Sequence, residues 1–304
     1  MSIKETIAFL YYSITKVLSD LKQLSKGQKR NFELLQLSHR IEKGLLIANP
    51  KPLWGWVKAY RINELLQFNN DKFSSKTAKA VLSAYLNSKK QSSFLEDREK
   101  CQEFFEKTNF TPIESQNIGG VIKIEKTPFS TEEINAIEKL FYTRHSCREF
   151  SEEPVSAEVI NHAIQMALRC PSACNRQPFK VYVVEPSVME KELGKKLQYQ
   201  ANKLLFITGD VRAFISSEIL DWLISPMIFA SYLTLSLHSL GIGCCVVRKD
   251  LVKNSRYNRI VEKVAGIEDN ERLVLEINIG YYKPSYTVPF SNRAEIEDIV
   301  CYVS

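Results

Sequence analysis

The chain has 304 residues, 44% hydrophobic and 25% charged, with a formal net charge of +6. This is the composition of an ordinary soluble globular protein with enough length for one large domain or two, and it excludes a low-complexity or repeat chain. The basic excess lies wholly in residues 1–129, with 21 Lys+Arg against 13 Asp+Glu, whereas residues 130–304 carry 20 against 22. It reads as a solvated basic face, and no nucleic-acid partner is expected. Seven cysteines show no framework spacing, and Met1-Ser2-Ile3-Lys4-Glu5 lacks the features of a signal peptide, so reduced thiols and a cytoplasmic location are expected. Pro171 lies between Cys170 and Cys174 and no His–Cys set completes a zinc site, so no metal is expected.

Residues 1–24 carry an amphipathic helical pattern through Ile7, Leu10, Tyr11, Ile14, Val17, Leu18 and Leu21. Packing onto its own protein explains it; a membrane-surface or partner-binding helix is the alternative. Ser38-His39-Arg40-Ile41-Glu42-Lys43-Gly44-Leu45 then gathers charge ahead of a Pro/Trp/Gly turn at Pro50–Trp56. A charged helix end accounts for it, as does a site for an anionic group. Residues 57–108 read as two or three further helices, and Thr111-Pro112 and Asn117–Gly120 supply turn signals. The division expected is a helical N-terminal extension over 1–125 and a second domain over 126–304.

Ser130-Thr131-Glu132-Glu133 opens a helix bearing Ile134, Ile137 and Phe141, which leads to Arg144-His145-Ser146-Cys147-Arg148-Glu149-Phe150. Arg144, Ser146 and Arg148 alternate, so on an extended segment they meet one anion; paired guanidinium donors and a hydroxyl make a phosphate grip. A helix capped by Ser156 follows and stops at the loop Pro171-Ser172-Ala173-Cys174-Asn175-Arg176-Gln177-Pro178-Phe179, whose polar groups can read the edge of a heteroaromatic ring. Beyond it, strands are expected at 180–184, 204–208, 243–247 and 273–280. Helices are expected before 204, around 219–240 and over 250–264. Trp222–Val247 holds no Asp, Glu, Lys or Arg, but Pro226, Gly241 and Gly243 interrupt it, so it reads as a buried helix and strand rather than a membrane span. With neither a dinucleotide-binding glycine motif nor a P-loop, the pattern is that of an α+β fold.

The two motifs, in order and one helix apart, resemble the nitroreductase family's R-x-S-x-R-x-F start and its P-S-x-x-N-x-Q-P-[WF] loop. The resemblance covers about residues 130–304. It implies a mixed, largely antiparallel sheet wrapped by helices, in a homodimer with an FMN at each of two sites on the subunit interface. It assigns Arg144 and Ser146 to the FMN phosphate and ribityl chain, and Arg148 to a cationic position on the flavin. Pro171, Ser172 and Asn175 approach the ring from the other subunit, and Arg293 reaches the phosphate. The family's glycine-containing turn after the third strand, whose N–H points at the flavin, is replaced by Cys244-Cys245-Val246-Val247-Arg248-Lys249. A backbone donor at Val247 or Arg248 can serve, while the larger side chains narrow the pocket.

The activity implied is hydride transfer from NADH or NADPH, through FMN, to a small organic acceptor; no side chain is assigned a catalytic proton transfer. The alternatives are a biosynthetic flavin dehydrogenase or reductase with a specific substrate, and a silent flavin-binding module docking an anionic partner. Burial of the uncharged 222–247 stretch on all sides is expected to need a second copy, with Leu233 at the dimer contact.

Overall fold

A computed structural model describes residues 28–215, 218, 220–248 and 256–303, together with Ile14 and Leu18. The helix expected over 1–24 otherwise lies outside the described residues, as does Lys249. Four helices lead the stretch described from residue 28: α1 (Arg30–Leu45), α2 (Trp56–Leu66), α3 (Lys72–Lys90) and α4 (Leu95–Lys107). They are followed by α5 (Thr131–Thr143), α6 (Ala157–Ala167), β1 (Phe179–Val184), α7 (Pro186–Leu193) and β2 (Lys203–Asp210). The chain continues through α8 (Asp221–Ser239), β3 (Ile242–Arg248), α9 (Arg256–Ala265) and β4 (Glu271–Tyr281). Local chemistry sets several of these boundaries. Asp71 caps α3 by accepting from Ser74 N, and Ser130 and Glu133 form a reciprocal capping box on α5. Ser156 caps α6, and Gly194, left-handed at φ 69°, ends α7. That glycine corrects the expected Lys/Gln-rich helix, which stops at Leu193 and leaves the approach to β2 irregular.

The sheet order is β1-β2-β4-β3, and all three pairings are antiparallel. A single parallel bridge, Ser146 to Cys244, makes it mixed, so the fold is the expected α+β sheet wrapped by helices. One face packs on α6 and α8 through Ile160, Ala163, Phe229, Leu233, Leu205 and Ile277. The other packs on α7 and α9 through Met189, Val261, Leu204 and Phe206. Gly209 allows α8 to lie tight on β2, because a Cβ there would sit 2.0 Å from the Trp222 carbonyl oxygen. Within one chain α8 is buried on one side only, with Ile224, Met227 and Tyr232 exposed on the other; one expectation about it is corrected, because Leu233 faces its own sheet at 0% exposure. Ser225, Thr234 and Ser236 lie on the buried side, which a count of charged residues cannot separate from the exposed one. No described helix is long and apolar enough to cross a membrane.

The leading helices have a core of their own, built from Leu34, Ile41, Trp56, Ile62, Val81, Leu82, Tyr85 and Phe104. Helix α1 serves two cores, because its Phe32 and Leu35 belong to the core beneath the sheet. Much of the charged stretch at 38–44 is thereby explained as structure. Ile41 is core, Glu42 accepts from the backbone N–H of Gly120, and Gly44 leaves room for the Trp54 ring, which a Cβ would strike at 1.7 Å. The Trp54–Trp56 turn is held by Asp97, which accepts from Leu53 N, Trp56 Nε1, Ser92 Oγ and Lys89 Nζ. Burial pushes this carboxyl up, but its donors outweigh that and hold it below the ordinary aspartate range. Asp97→Ala strands the buried Lys89 ammonium and is expected to destabilise the protein by about 3–5 kcal/mol in urea unfolding. The carboxylate's contribution holds at neutral pH and is lost as pH falls through and below the ordinary aspartate range.

Candidate functional site

The arginine motif leaves the end of α5 and runs along the β3 edge of the sheet. Arg144 caps the helix, Cys147 N donates to Cys244 O at 2.9 Å, and Phe150 bridges to Tyr282 beyond β4. Two glycines that pair across the strands, Gly243 and Gly280, make the seat. A Cβ at Gly243 would meet Tyr282 at 2.9 Å and Cys147 at 3.0 Å; at Gly280 it would meet Phe150 at 2.7 Å. Glycine inside a strand is the sequence signal of such a close approach, and sequence reasoning undervalued it.

Three donors on this segment have no anionic partner among the described residues. Arg144 and the Ser146 hydroxyl make no side-chain hydrogen bond or ion pair there, and Arg148 donates to Ser146 O at 3.3 Å. Two uncompensated guanidiniums and a hydroxyl are a donor set that suits a phosphate. Beside them, His238 joins Thr143 Oγ1 at 2.8 Å to the Tyr282 hydroxyl at 2.9 Å. This relay was not foreseen, since its members come from three separate elements. The Tyr282 hydroxyl is pushed above the usual phenol range by burial and by nearby thiols. Cys147, Cys244 and Cys245 lie under the motif; burial raises all three, Cys244 to about 12, so they pack as neutral thiols. A cavity of about 270 Å³ is lined by Tyr199, Val247, Tyr257, Glu276 and Asn278. Val247 lies three residues beyond Cys244, where the motif bridges β3. Arg248 ends β3, paired with Leu275, and its side chain lies outside the described residues.

The second motif is built differently. After α6 the chain makes a single 3₁₀ turn at Ala173–Asn175, with Cys174, Asn175 and Gln177 at φ 49°, 50° and 48°. Left-handed backbone is tolerable for Asn, but costs a Cys or Gln about 1 kcal/mol or more. Asn175 N donates to Ser172 O, and Gln177 N to Ser172 Oγ. Pro171 and Asn175 are exposed and Ser172 is half-buried. The loop feeds β1, the other edge strand. Phe179 aligns through Gly209 with Arg272, whereas Cys244 aligns with Ile279, at the other end of β4. Three strand spacings and this offset put the motifs at diagonally opposite corners of the sheet, about 14 Å apart across it and roughly 20 Å along it. One chain thus does not bring them together. The Arg293 guanidinium, on an exposed C-terminal segment, donates to the carbonyls of Ser291 and Asn292. Among the described residues no cluster suited to a metal ion occurs.

Residues 142–215, which span both motifs, match the family model described as the Nitroreductase family. The stretch that carries both motifs thus resembles the nitroreductase family. An Archaeoglobus fulgidus protein provisionally named an NADH dehydrogenase/NAD(P)H nitroreductase is 25% identical over 151 residues, 48% of this chain and 84% of its own. Among solved structures, a nitroreductase family protein from Streptococcus pneumoniae is 22% identical with a TM-score of 0.44, covering 55% of this chain and all of that one. A nitroreductase with bound FMN from Desulfitobacterium hafniense is 20% identical with a TM-score of 0.41, over 55% of this chain and 97% of its own. Beside the arginine motif, burial and the nearby Arg144 and His145 charges hold His238 below the usual histidine range. Its NMR titration is expected below about 6.5, and the neutral form belongs to the folded state. The unfolded chain then takes the proton more readily, so stability falls as pH drops through about 6.5, a dependence that His238→Gln should flatten.

Proposed function

We propose that this protein is an FMN-dependent NAD(P)H oxidoreductase acting on a small organic acceptor, and that it works as a homodimer. The observation that carries the reading is that the arginine motif and the Ser172 loop lie at opposite corners of one sheet. Two copies related by a two-fold axis can pair the arginine edge of one with the Ser172 loop of the other, completing two sites at once. Apolar surface supports the pairing. Helix α5 has no buried residue despite its capping box and exposes Ile134, Ile137, Phe141 and Tyr142, the last at 79%. The outer face of α8 adds Ile224, Met227 and Tyr232, and the C-terminal segment Ile296, Ile299 and Tyr302.

In this reading Arg144 and Ser146 hold the phosphate and ribityl chain, Arg148 is a cation on the flavin, and Arg293 on the C-terminal segment supplies a further guanidinium to the phosphate. Pro171, Ser172 and Asn175 meet the ring from the second copy, and the N–H of Val247 or Arg248 faces it from the β3 end. FMN supplies the hydride chemistry when bound, and NADH or NADPH is the donor, as the archaeal relative's name implies for that protein. The protein's own part is charge and position. Arg148 supplies a permanent cation on the motif, where it stabilises negative charge developing on a bound ring. The bulk of Val247 where the family has a glycine-containing turn narrows access and favours a specific acceptor.

Arg144→Ala is expected to weaken FMN binding roughly ten- to hundredfold, or about 1.5–3 kcal/mol, measured by flavin fluorescence titration with the fold intact by circular dichroism. Unchanged affinity would move the phosphate elsewhere. Assembly is tested on the exposed face of α8. Met227→Glu is expected to give folded monomers that retain little FMN by analytical ultracentrifugation with absorbance at the flavin wavelength. A wild-type monomer with full FMN occupancy at micromolar concentration would refute the dimer.

A further inference from the structure

The side chain of Arg176 is the largest among the fully buried ones, at 1% exposure, and it sits inside the loop motif. Each of its three nitrogens donates. Its Nε gives to Ala173 O at 3.0 Å, and Nη1 to Ala213 O at 2.7 Å. Nη1 and Nη2 grip the two oxygens of Glu218, each at 2.8 Å, and the guanidinium lies 4.5 Å over the Phe214 ring. Glu218 is further fixed by Ile215 N at 3.2 Å. One fork thus joins the start of the left-handed turn to the segment after β2. The N-terminal region is tied into the same knot. Gln28 Nε2 donates to Ala213 O, and Lys29 N to Arg212 O. Phe32 and Leu35 of α1 enter the core that holds Ala213 and Phe214, and Ala173 packs against it. A cavity of about 420 Å³ behind the loop has Asn31, Phe32 and Leu35 on one side and Arg176 to Phe179 on the other.

Cys174, Asn175 and Gln177 are all left-handed, and the turn's internal bonds number only a few. Such a conformation persists where its surroundings over-determine it. Here the surroundings are Arg176, Glu218 and α1. We propose that Arg176 and Glu218 are positioning residues for the flavin-ring loop, and that α1 buttresses them, so that FMN retention depends on the N-terminal extension. This rests on the flavin reading above. It assigns the extension a role at the site that neither loop motif nor arginine motif announces.

The test uses the full chain and two variants. Glu218→Gln removes the charge of the clasp at constant size, and Arg176→Lys keeps the charge but loses the planar fork. Hydrogen exchange of the flavin-free protein is followed at the amides of Asn175, Arg176 and Gln177, alongside FMN affinity and the visible circular dichroism of bound flavin. Glu218→Gln is expected to speed exchange at these amides at least tenfold, weaken FMN at least tenfold and change the flavin dichroism. Arg176→Lys should fall between it and wild type. A merely structural role would lower the melting temperature and leave flavin dichroism and affinity as in wild type; that result overturns the proposal. Unchanged loop exchange overturns it too. If wild type binds no FMN, the flavin reading fails, and the exchange data still judge the clasp. Should Glu218→Gln not fold, Arg176→Lys decides by the same readouts.

Discussion

Strand β4 is the constraint on which the rest of the structure depends. It is buried from Glu271 to Gly280 and pairs on both sides, with β2 and with β3. That position makes β1 and β3 the edges, and each edge receives one motif. It also obliges the fold to accommodate two carboxylates in its interior. Glu271 takes Lys180, Tyr182 and Thr208 as donors, and Glu276 takes Tyr257 and Asn278. A buried carboxylate is tolerable only when so satisfied. Satisfying these two ties β4 to β1 across β2, and to α9 across the second core. Burial, with the neighbouring carboxylate, drives both tyrosines well above the usual phenol range, so each stays protonated as a donor.

The helical extension is held by a different balance. Its core is largely aromatic, with Trp56 edge-on to Tyr85 at 5.4 Å and Tyr60 against Phe104 at 5.0 Å. Lys89, paired with Asp97, also lies over the Trp54 and Tyr85 rings. The module has a core of its own, yet α1 spends Phe32 and Leu35 on the sheet's core. The extension is therefore joined to the sheet by packing as well as by chain connectivity.

What the sequence made legible was local. The alternation Arg144, Ser146, Arg148 and the crowded loop at 171–179 are short motifs, and helix caps at Ser130 and Ser156 are fixed by residues three apart. The antiparallel order followed from the family resemblance rather than from strand patterns, because β2 and β4 are buried on both faces and show no alternation. Leu233 was misassigned because α8 mixes small polar residues into its buried side, which blurs the two faces. Arg176 was read only as a variable place within the motif. Its partner Glu218 lies 42 residues on, and no local spacing announces a buried fork of that span. The seat made by Gly243 and Gly280 was hidden likewise, since register is a property of the sheet.

The placement of the two motifs at opposite corners has a genetic consequence. In the proposed dimer each site takes its arginines from one chain and its loop from the other. When a chain damaged at Arg144 pairs with a chain damaged at Asn175, one site inherits both lesions and the other inherits neither. Two inactive alleles of this kind complement each other when co-expressed, whereas two alleles damaged in the same half do not.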